Sequence, residues 1–432
     1  MSYKGNQCNA QRNTTKTVSI LKSKFQGQET VFPIRNNICH IYDNLVDKKK
    51  LSAVMEDTRE ILREHPLCDN CLGRMFAGKL GVVSHKRIGS KIRNMLKQRP
   101  PKTCYICKNM MSNLDSTLKK MIEMAKEYQF STFLIGAILQ PSIHDRDDVI
   151  RSKFKLRGIT SIKSDITREM GKSFSRKTRA KVDYQNPDLV FTIDFKKEYY
   201  EIKPKAILLQ ARYTKNVRGL PQKQKSCDQC EGKGCFVCNF HGIREFESVE
   251  GKIAKFLIEK FGAQQAKVTW IGSEDESSLV TGNGRPFFVK LVNPHKRGIP
   301  LSKKIDLEGI SVHGMRTITK IPSDPVRFRT NVSMEIEAEN EIMPDTLKEL
   351  TRLKGRHVVL YENSGRKHKK TIYSIKFKIE SDKSFRIMME SDGGLPLKRF
   401  VAGQEVEPSI SEILETNCMC KLFDFNKITV TK

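Results

Sequence analysis

The sequence predicts an α+β protein of more than one domain. Its 432 residues exceed what one core usually organises. Strand-like runs in the C-terminal half follow an order that suits a mixed, mainly antiparallel sheet and not βαβα repeats. Amphipathic helices are legible from their period: Leu114, Leu118, Met121, Ile122 and Ala125 form a stripe within 113–128, and Ile253, Phe256, Leu257 and Phe261 form another that stops at Gly262.

In chain order, residues 1–48 are rich in Asn, Gln, Lys and Thr without a sustained period, which predicts a mobile polar and basic tail. Residues 49–205 are expected to form an accessory module. In it a strand over 132–139 precedes a basic segment, Arg151 to Lys181, and the turn Asn186-Pro187-Asp188 leads into a strand over 189–194. Residues 206–432 are expected to form a larger mixed domain. Its strands are 267–271 and 287–292, joined by a loop over 272–286, then 332–338, 371–379 and 384–390, with a helix near 345–353.

Charge narrows the function. Lys and Arg number 78 against 49 Asp and Glu, a formal +29, and a polyanion is the natural partner of such a chain. A solubilising surface is the alternative, and a one-signed run such as Arg168, Lys172, Arg176, Lys177, Arg179 and Lys181 favours RNA over a merely solvated helix face. The segment Arg151 to Lys181 is the expected RNA-docking surface. The longest apolar run, Phe133 to Leu139, is far too short to span a membrane. The polar, basic N-terminus lacks a secretory h-region, so a cytoplasmic protein is expected.

Eight of the 12 cysteines fall into CxxC pairs, a pattern that in a cytoplasmic chain reads as thiolate metal ligation and not as disulfides. Cys68, Cys71, Cys104 and Cys107 form two knuckles on separate turns, the arrangement of a structural zinc site. Four thiolates would leave no open position for catalysis, and the His-x-Glu partner of a nucleobase deaminase is absent. Cys227, Cys230, Cys235 and Cys238 are a possible second site, read either as zinc ligands or as a stabiliser of a long basic loop beginning at Arg212. Cys8, Cys39, Cys418 and Cys420 lack such spacing.

The segment Gly272 to Phe287 carries a run of carboxylates, Glu274, Asp275 and Glu276, on a glycine-bounded loop. Taken alone, that loop could bind a metal, do acid/base work or be a solvated turn.

Three separated motifs then give the chain a resemblance. Arg212 to Gln222 (RYTKNVRGLPQ), Gly272 to Phe287 with its terminal Gly-Arg-Pro-Phe, and Glu390 to Gly403 (ESDGGLPLKRFVAG), with Pro408 to Leu414 after them, resemble the archaeal and eukaryotic pseudouridine synthase ten family. The likeness runs in order through about residues 60–432. It implies a zinc-bearing, THUMP-containing RNA-binding module followed by a pseudouridine synthase catalytic domain, acting on uridines 54 and 55 of the TΨC arm of tRNA. By position it implies Asp275 as the catalytic aspartate and Lys398 as its basic partner, which would keep the carboxylate ionised in a largely desolvated pocket. Phe328, Leu397, Arg285, Tyr213, Arg212 and Lys215 would line the substrate. The resemblance also implies structural zinc, no organic cofactor, and a monomer on tRNA. Three positions depart from the family pattern: Ser273 replaces Arg, Phe328 replaces the active-site Tyr, and Pro396 replaces a commoner aromatic residue.

Two other readings compete. Another THUMP-bearing enzyme, a tRNA methyltransferase or thiouridine synthase, would need a glycine-rich nucleotide loop after a strand, and none is visible. A non-catalytic zinc-containing tRNA-binding protein would need neither Asp275 nor Lys398.

Overall fold

The computed structural model describes residues 48–80, 84–362 and 364–431. The expected tail lies outside the described residues except for Lys48, as do Cys8 and Cys39. The helices and strands in the first half are α1 (Lys48–Ser52), α2 (Met55–Glu64), α3 (Asp69–Leu80), α4 (His85–Met95), α5 (Leu114–Ala125), β1 (Thr132–Ile138), α6 (Pro141–Lys153), α7 (Ile162–Thr178), β2 (Lys181–Val182), β3 (Leu189–Asp194) and β4 (Tyr199–Pro204). The second half contains β5 (Ile207–Lys215), α8 (Val249–Phe261), β6 (Gln265–Trp270), β7 (Val280–Val292), β8 (Lys304–Leu307), β9 (Ile310–Thr317), β10 (Phe328–Ala338), α9 (Pro344–Lys348), β11 (His357–Tyr361), β12 (Lys367–Ser381), β13 (Ser384–Asp392), α10 (Leu397–Ala402), β14 (Val406–Glu407), α11 (Ile410–Ile413) and β15 (Cys418–Val430).

The described residues form two compact units. One holds the chain to Met111 with Pro141–Ile162, and the other holds Ser112–Gln140 with Lys163 onward. The first is helical. Its α3 and α4 cross where Gly73 faces His85 and Gly89 faces Asp69: a Cβ on either glycine would lie 1.8 Å from the opposing carbonyl oxygen. Arg93 ties the pair by donating to Asp69 at 2.6 Å. Arg74, fully buried, forks onto the Asp147 carboxylate of α6 and donates to Thr160 O at 2.9 Å, so the returning segment is locked to α3.

The second unit contains two sheets. The four-stranded sheet runs β2-β1-β3-β4, with β1 parallel to β2 and β3, and β4 antiparallel. Its alternating apolar positions meet α7 through Phe174, whose ring centroid lies 4.7 Å from that of Phe133 and 5.0 Å from that of Phe191. The large sheet runs β14-β11-β12-β13-β10-β15-β7-β5-β9-β8, with β6 also on β7. Its pairings are antiparallel except at the centre, where β15 runs parallel to β7. Arg212 fastens that seam by donating to the carbonyls of Asn283 (3.2 Å), Gly284 (2.7 Å) and Ile428 (3.0 Å).

Three local expectations change. The loop over 272–286 is shorter, because β7 already begins at Val280. Gly282 and Gly284, at φ 57° and 67°, let the strand bulge instead of ending it. Arg212 to Lys215 close strand β5 and do not open a loop; the alternation that hides Tyr213 and Lys215 belongs to a strand with one face in the core. The helix near 345–353 is α9 for one turn and then a 3-10 turn, Glu349–Leu353. Buried Leu347, Leu350 and Leu353 are spaced by three, which aligns them on one face at three residues per turn.

Gly73→Ala is expected to force α3 and α4 apart and lower the stability of the helical unit by the ~1–3 kcal/mol of an overpacked contact, or more. Thermal unfolding checks this, and an unchanged Tm would mean the crossing yields without cost.

Candidate active site

The loop between β6 and β7 leaves the sheet beside the β15 seam and carries Asp275. Its backbone is held from below by a buried ionic cluster. Glu274, although next to Asp275, points the opposite way and its side chain is 0% exposed. It accepts from Tyr213 Oη at 2.8 Å and from Arg285 Nε at 3.2 Å, and lies 3.3 Å from Lys215 Nζ. Lys215 and Arg285 are themselves 0% exposed. A charge buried this deeply must be balanced, and here one carboxylate faces two cations and a phenol. Burial and the Glu274 charge push the Tyr213 phenol well above its usual pKa, so it stays a neutral donor.

The cluster also grips the peptide backbone. Lys215 Nζ donates to the carbonyls of Leu220 (3.0 Å), Asp275 (3.2 Å) and Glu276 (3.2 Å), and Arg285 donates to Ile271 O at 3.1 Å. Residues 216–222 then cross the loop as a strap. Gly219 N donates to Glu276 O at 2.9 Å, Gln222 accepts from Glu274 N at 3.3 Å, and Arg218 forks onto Asp424 of β15 with two bonds of 2.8 Å. Asp424 also accepts from Leu279 N at 2.8 Å, which closes the far end of the loop.

On the open side, Lys398 Nζ, from the first turn of α10, lies 2.9 Å from Asp275 Oδ2. Asp275 Oδ1 accepts from Ser277 Oγ at 2.6 Å and Ser277 N at 3.0 Å. The Ser277 hydrogen bonds, followed by Lys398, hold the Asp275 carboxyl at about 2 against a partial opposing effect of burial. The pair does not sit in a desolvated pocket: Asp275 is 31% exposed and Lys398 53%. Ser277 and Lys398 therefore keep the carboxylate ionised against only partial desolvation. Phe328, at the start of β10, packs its ring against two backbones of the site, since a Cβ on Gly272 or Gly393 would lie 2.6 Å or 2.2 Å from the ring. The ring is half-buried at the same end as Asp275. Leu397 is buried beside Lys398 and anchors the start of α10 in the core.

Of the residues the sequence assigned to this site, Asp275, Lys398 and Phe328 share the open end. Tyr213, Lys215 and Arg285 lie beneath the loop, where full burial denies them contact with a substrate, and Arg212 is spent on the seam. Sequence reasoning missed the roles of Glu274 and Ser277. The signal for Glu274 was an acid sharing one motif with Arg285, but pairing it with that base and with Lys215 of a second motif needed the register of β5 on β7, which sets Tyr213 opposite Arg285.

Both cysteine groups converge. In each, the four sulfurs lie within 4.8 Å of one another, with Cys68 and Cys107 at 3.7 Å, Cys227 and Cys235 at 3.9 Å, and Cys230 and Cys238 at 3.8 Å. A tetrahedron with bonds of about 2.3 Å would put sulfurs about 3.8 Å apart, so both donor sets fit zinc. The second group is pinned to β6 by Gln265, which donates to Lys233 O (2.9 Å) and Phe240 O (3.0 Å). The basic segment 151–181 is divided. Arg151, Lys153, Arg168 and Lys172 have acidic partners nearby, whereas Arg176, Lys177, Arg179 and Lys181 form an exposed run at the end of α7. Among the described residues no helix is long and apolar enough to cross a membrane.

Residues 118–194 match the family model described as the archaeal Pus10 THUMP domain, and residues 208–429 match that described as Pus10, C-terminal. The chain is 47% identical over 371 residues to a protein of Nitrosopumilus maritimus named tRNA pseudouridine synthase Pus10, covering 86% of this chain and 97% of that one. A protein of the same name from Cenarchaeum symbiosum is 38% identical over 86% of this chain and 91% of its own length. One from Pyrococcus furiosus is 27% identical over 86% and 97%.

Ser277→Ala removes one of the bonds that depress the Asp275 carboxyl, so its pKa should climb from about 2 toward the ordinary value of about 3.9. A depressed carboxyl contributes stability that is fully present above its unfolded pKa and lost as pH falls through its folded pKa. The variant should therefore lose that contribution at higher pH than the wild type. A carboxyl carbon NMR titration reads the midpoint, and an unmoved one would remove Ser277 from this account.

Proposed function

This chain belongs to the Pus10 family, its fold a THUMP domain followed by a pseudouridine synthase-like C-terminal domain, and on that premise we propose that it isomerises uridine to pseudouridine in the TΨC arm of tRNA, at position 54, position 55 or both. Asp275 is the catalytic carboxylate. The observation that carries this reading is the open Asp275–Lys398 pair at 2.9 Å, with the Phe328 ring packed on the Gly272 backbone three residues before Asp275.

The reaction breaks the N1–C1′ glycosidic bond, turns the uracil, joins C5 to C1′ and releases the C5 hydrogen as a proton. Nothing is oxidised and no group is transferred to a carrier, so an organic cofactor has no part in it. The target base must first leave the helical stack. Phe328 would give it a face to stack on, without the hydroxyl that a Tyr would add. A carboxylate held at about 2 is a feeble proton acceptor at neutral pH but is fully ionised. That favours attack by an Asp275 oxygen on C1′, with uracil leaving through N1; C5 then attacks C1′ and expels the carboxylate. Lys398 would steady the carboxylate charge before and after the attack.

We assign RNA docking to residues 49–205 and chemistry to 206–432, with the exposed bases from Arg176 to Lys181 facing phosphates. The chain would work in the cytoplasm as a monomer on one tRNA. Zinc at Cys68, Cys71, Cys104 and Cys107, and at Cys227, Cys230, Cys235 and Cys238, would be structural, with four thiolates closing each site.

Wild-type protein should release tritium from tRNA transcript labelled at uridine C5, and Asp275→Asn should bind the transcript equally but release none. Normal release by the variant would move the catalytic role elsewhere. Elemental analysis should find two zinc ions per chain, with Cys238→Ser keeping one. Because residues 216–222 run directly into the second cysteine group, Cys238→Ser should slow turnover more than it weakens tRNA binding. A zinc-free chain with full turnover would contradict both statements.

A further inference from the structure

We propose that Lys215 is a positioning residue for Asp275, fixing the angle at which the carboxylate meets the ribose. This rests on reading Asp275 as the catalytic group.

An ammonium has three N–H donors. Those of Lys215 go to the carbonyls of Leu220, Asp275 and Glu276, while the Glu274 carboxylate 3.3 Å away balances the charge. Its ligands therefore include three consecutive residues of the loop, 274 to 276, and the middle one is Asp275 itself. The fourth contact, Leu220, lies on the strap that crosses the loop. One buried amine thus joins strand β5, the strap, the side chain before Asp275 and the two peptide units that follow its Cα. If the loop required only stability, a packed apolar side chain would serve as well or better than a buried ion pair. Polar contacts to a carboxylate's own backbone do something apolar packing cannot: they set direction. Asp275 is open on its outer side, where among the described residues Lys398 and Ser277 are its side-chain hydrogen-bond partners, so its orientation is enforced from beneath.

Gln222 completes the cradle. It donates to Tyr213 Oη at 3.1 Å and to Gly272 O at 3.4 Å, and accepts from Glu274 N. Glu274 is consequently held at its backbone and its side chain and cannot swing to take over the role of Asp275.

Single-turnover tritium release, tRNA affinity and the pH profile of the rate would be measured on the full chain for wild type, Lys215→Met, Glu274→Gln, Asp275→Asn and the core control Leu257→Ala. Misplacing a reacting group by about 1 Å costs roughly 100-fold, so Lys215→Met should lose about that much rate at unchanged tRNA affinity. Loosened Ser277 and Lys398 contacts should also bring an acid limb into view near the ordinary carboxyl pKa of about 4, where the wild type is still flat. Should Lys215→Met not fold, Glu274→Gln keeps the volume and should show the same pair of effects. Leu257→Ala, studied below its unfolding transition, should lower Tm without moving the limb. A wild-type rate in Lys215→Met or Glu274→Gln, or a loss with an unmoved limb, would reduce Lys215 to a structural lysine. Normal turnover by Asp275→Asn would instead overturn the underlying assignment, so the two failures are told apart.

Discussion

Everything at the candidate site hangs on one buried carboxylate. Glu274 turns inward while its neighbour Asp275 turns outward, and the inward charge is tolerable only because Lys215, Arg285 and Tyr213 converge on it. Those partners come from β5 and β7, adjacent strands of the large sheet, so sheet register decides whether the cluster can form. Once formed, it holds the backbone from Ile271 to Glu276 through Arg285 and Lys215. That leaves Asp275 and Lys398 as the paired charges exposed at the candidate site.

Local signals were legible and long-range ones were not. The stripe ending at Gly262 identified α8, and Asn186-Pro187-Asp188 announced β3, because period and turn chemistry act over a few residues. The cysteine spacings likewise foretold two converging groups. By contrast, the resemblance placed Lys215 and Arg285 against the substrate, since a lone lysine or arginine in a basic chain gives no hint of a buried partner 59 or 11 residues away in sequence. Glycines at 282 and 284 looked like a loop because a bulged strand and a turn draw on the same residue. The motifs located Asp275 and Lys398, but their exposure, and hence the means by which the carboxylate stays charged, is a property of the assembled sheet.

The two cysteine groups also differ in what they hold. The first brings the start of α3 onto the segment that follows α4, within a helical unit tied by Arg74 and Arg93. The second sits at the end of the strap, pinned to β6 through Gln265, and β6 runs into the loop that bears Asp275.

Strand β15 lies between β10 and β7, at the seam of the sheet, yet it follows both of them in sequence. A chain made from its N-terminus must keep two half-sheets apart, each with an unsatisfied inner edge, until this strand arrives to join them. Asp424, which ties both strap and loop, arrives with it. Such late, long-range closure is slow and leaves strand edges open meanwhile. Completion of the candidate site thus becomes the final event in the maturation of the sheet, and a chain halted short of β15 would carry Asp275, Phe328 and Lys398 without Asp424 and the strand that fix their arrangement.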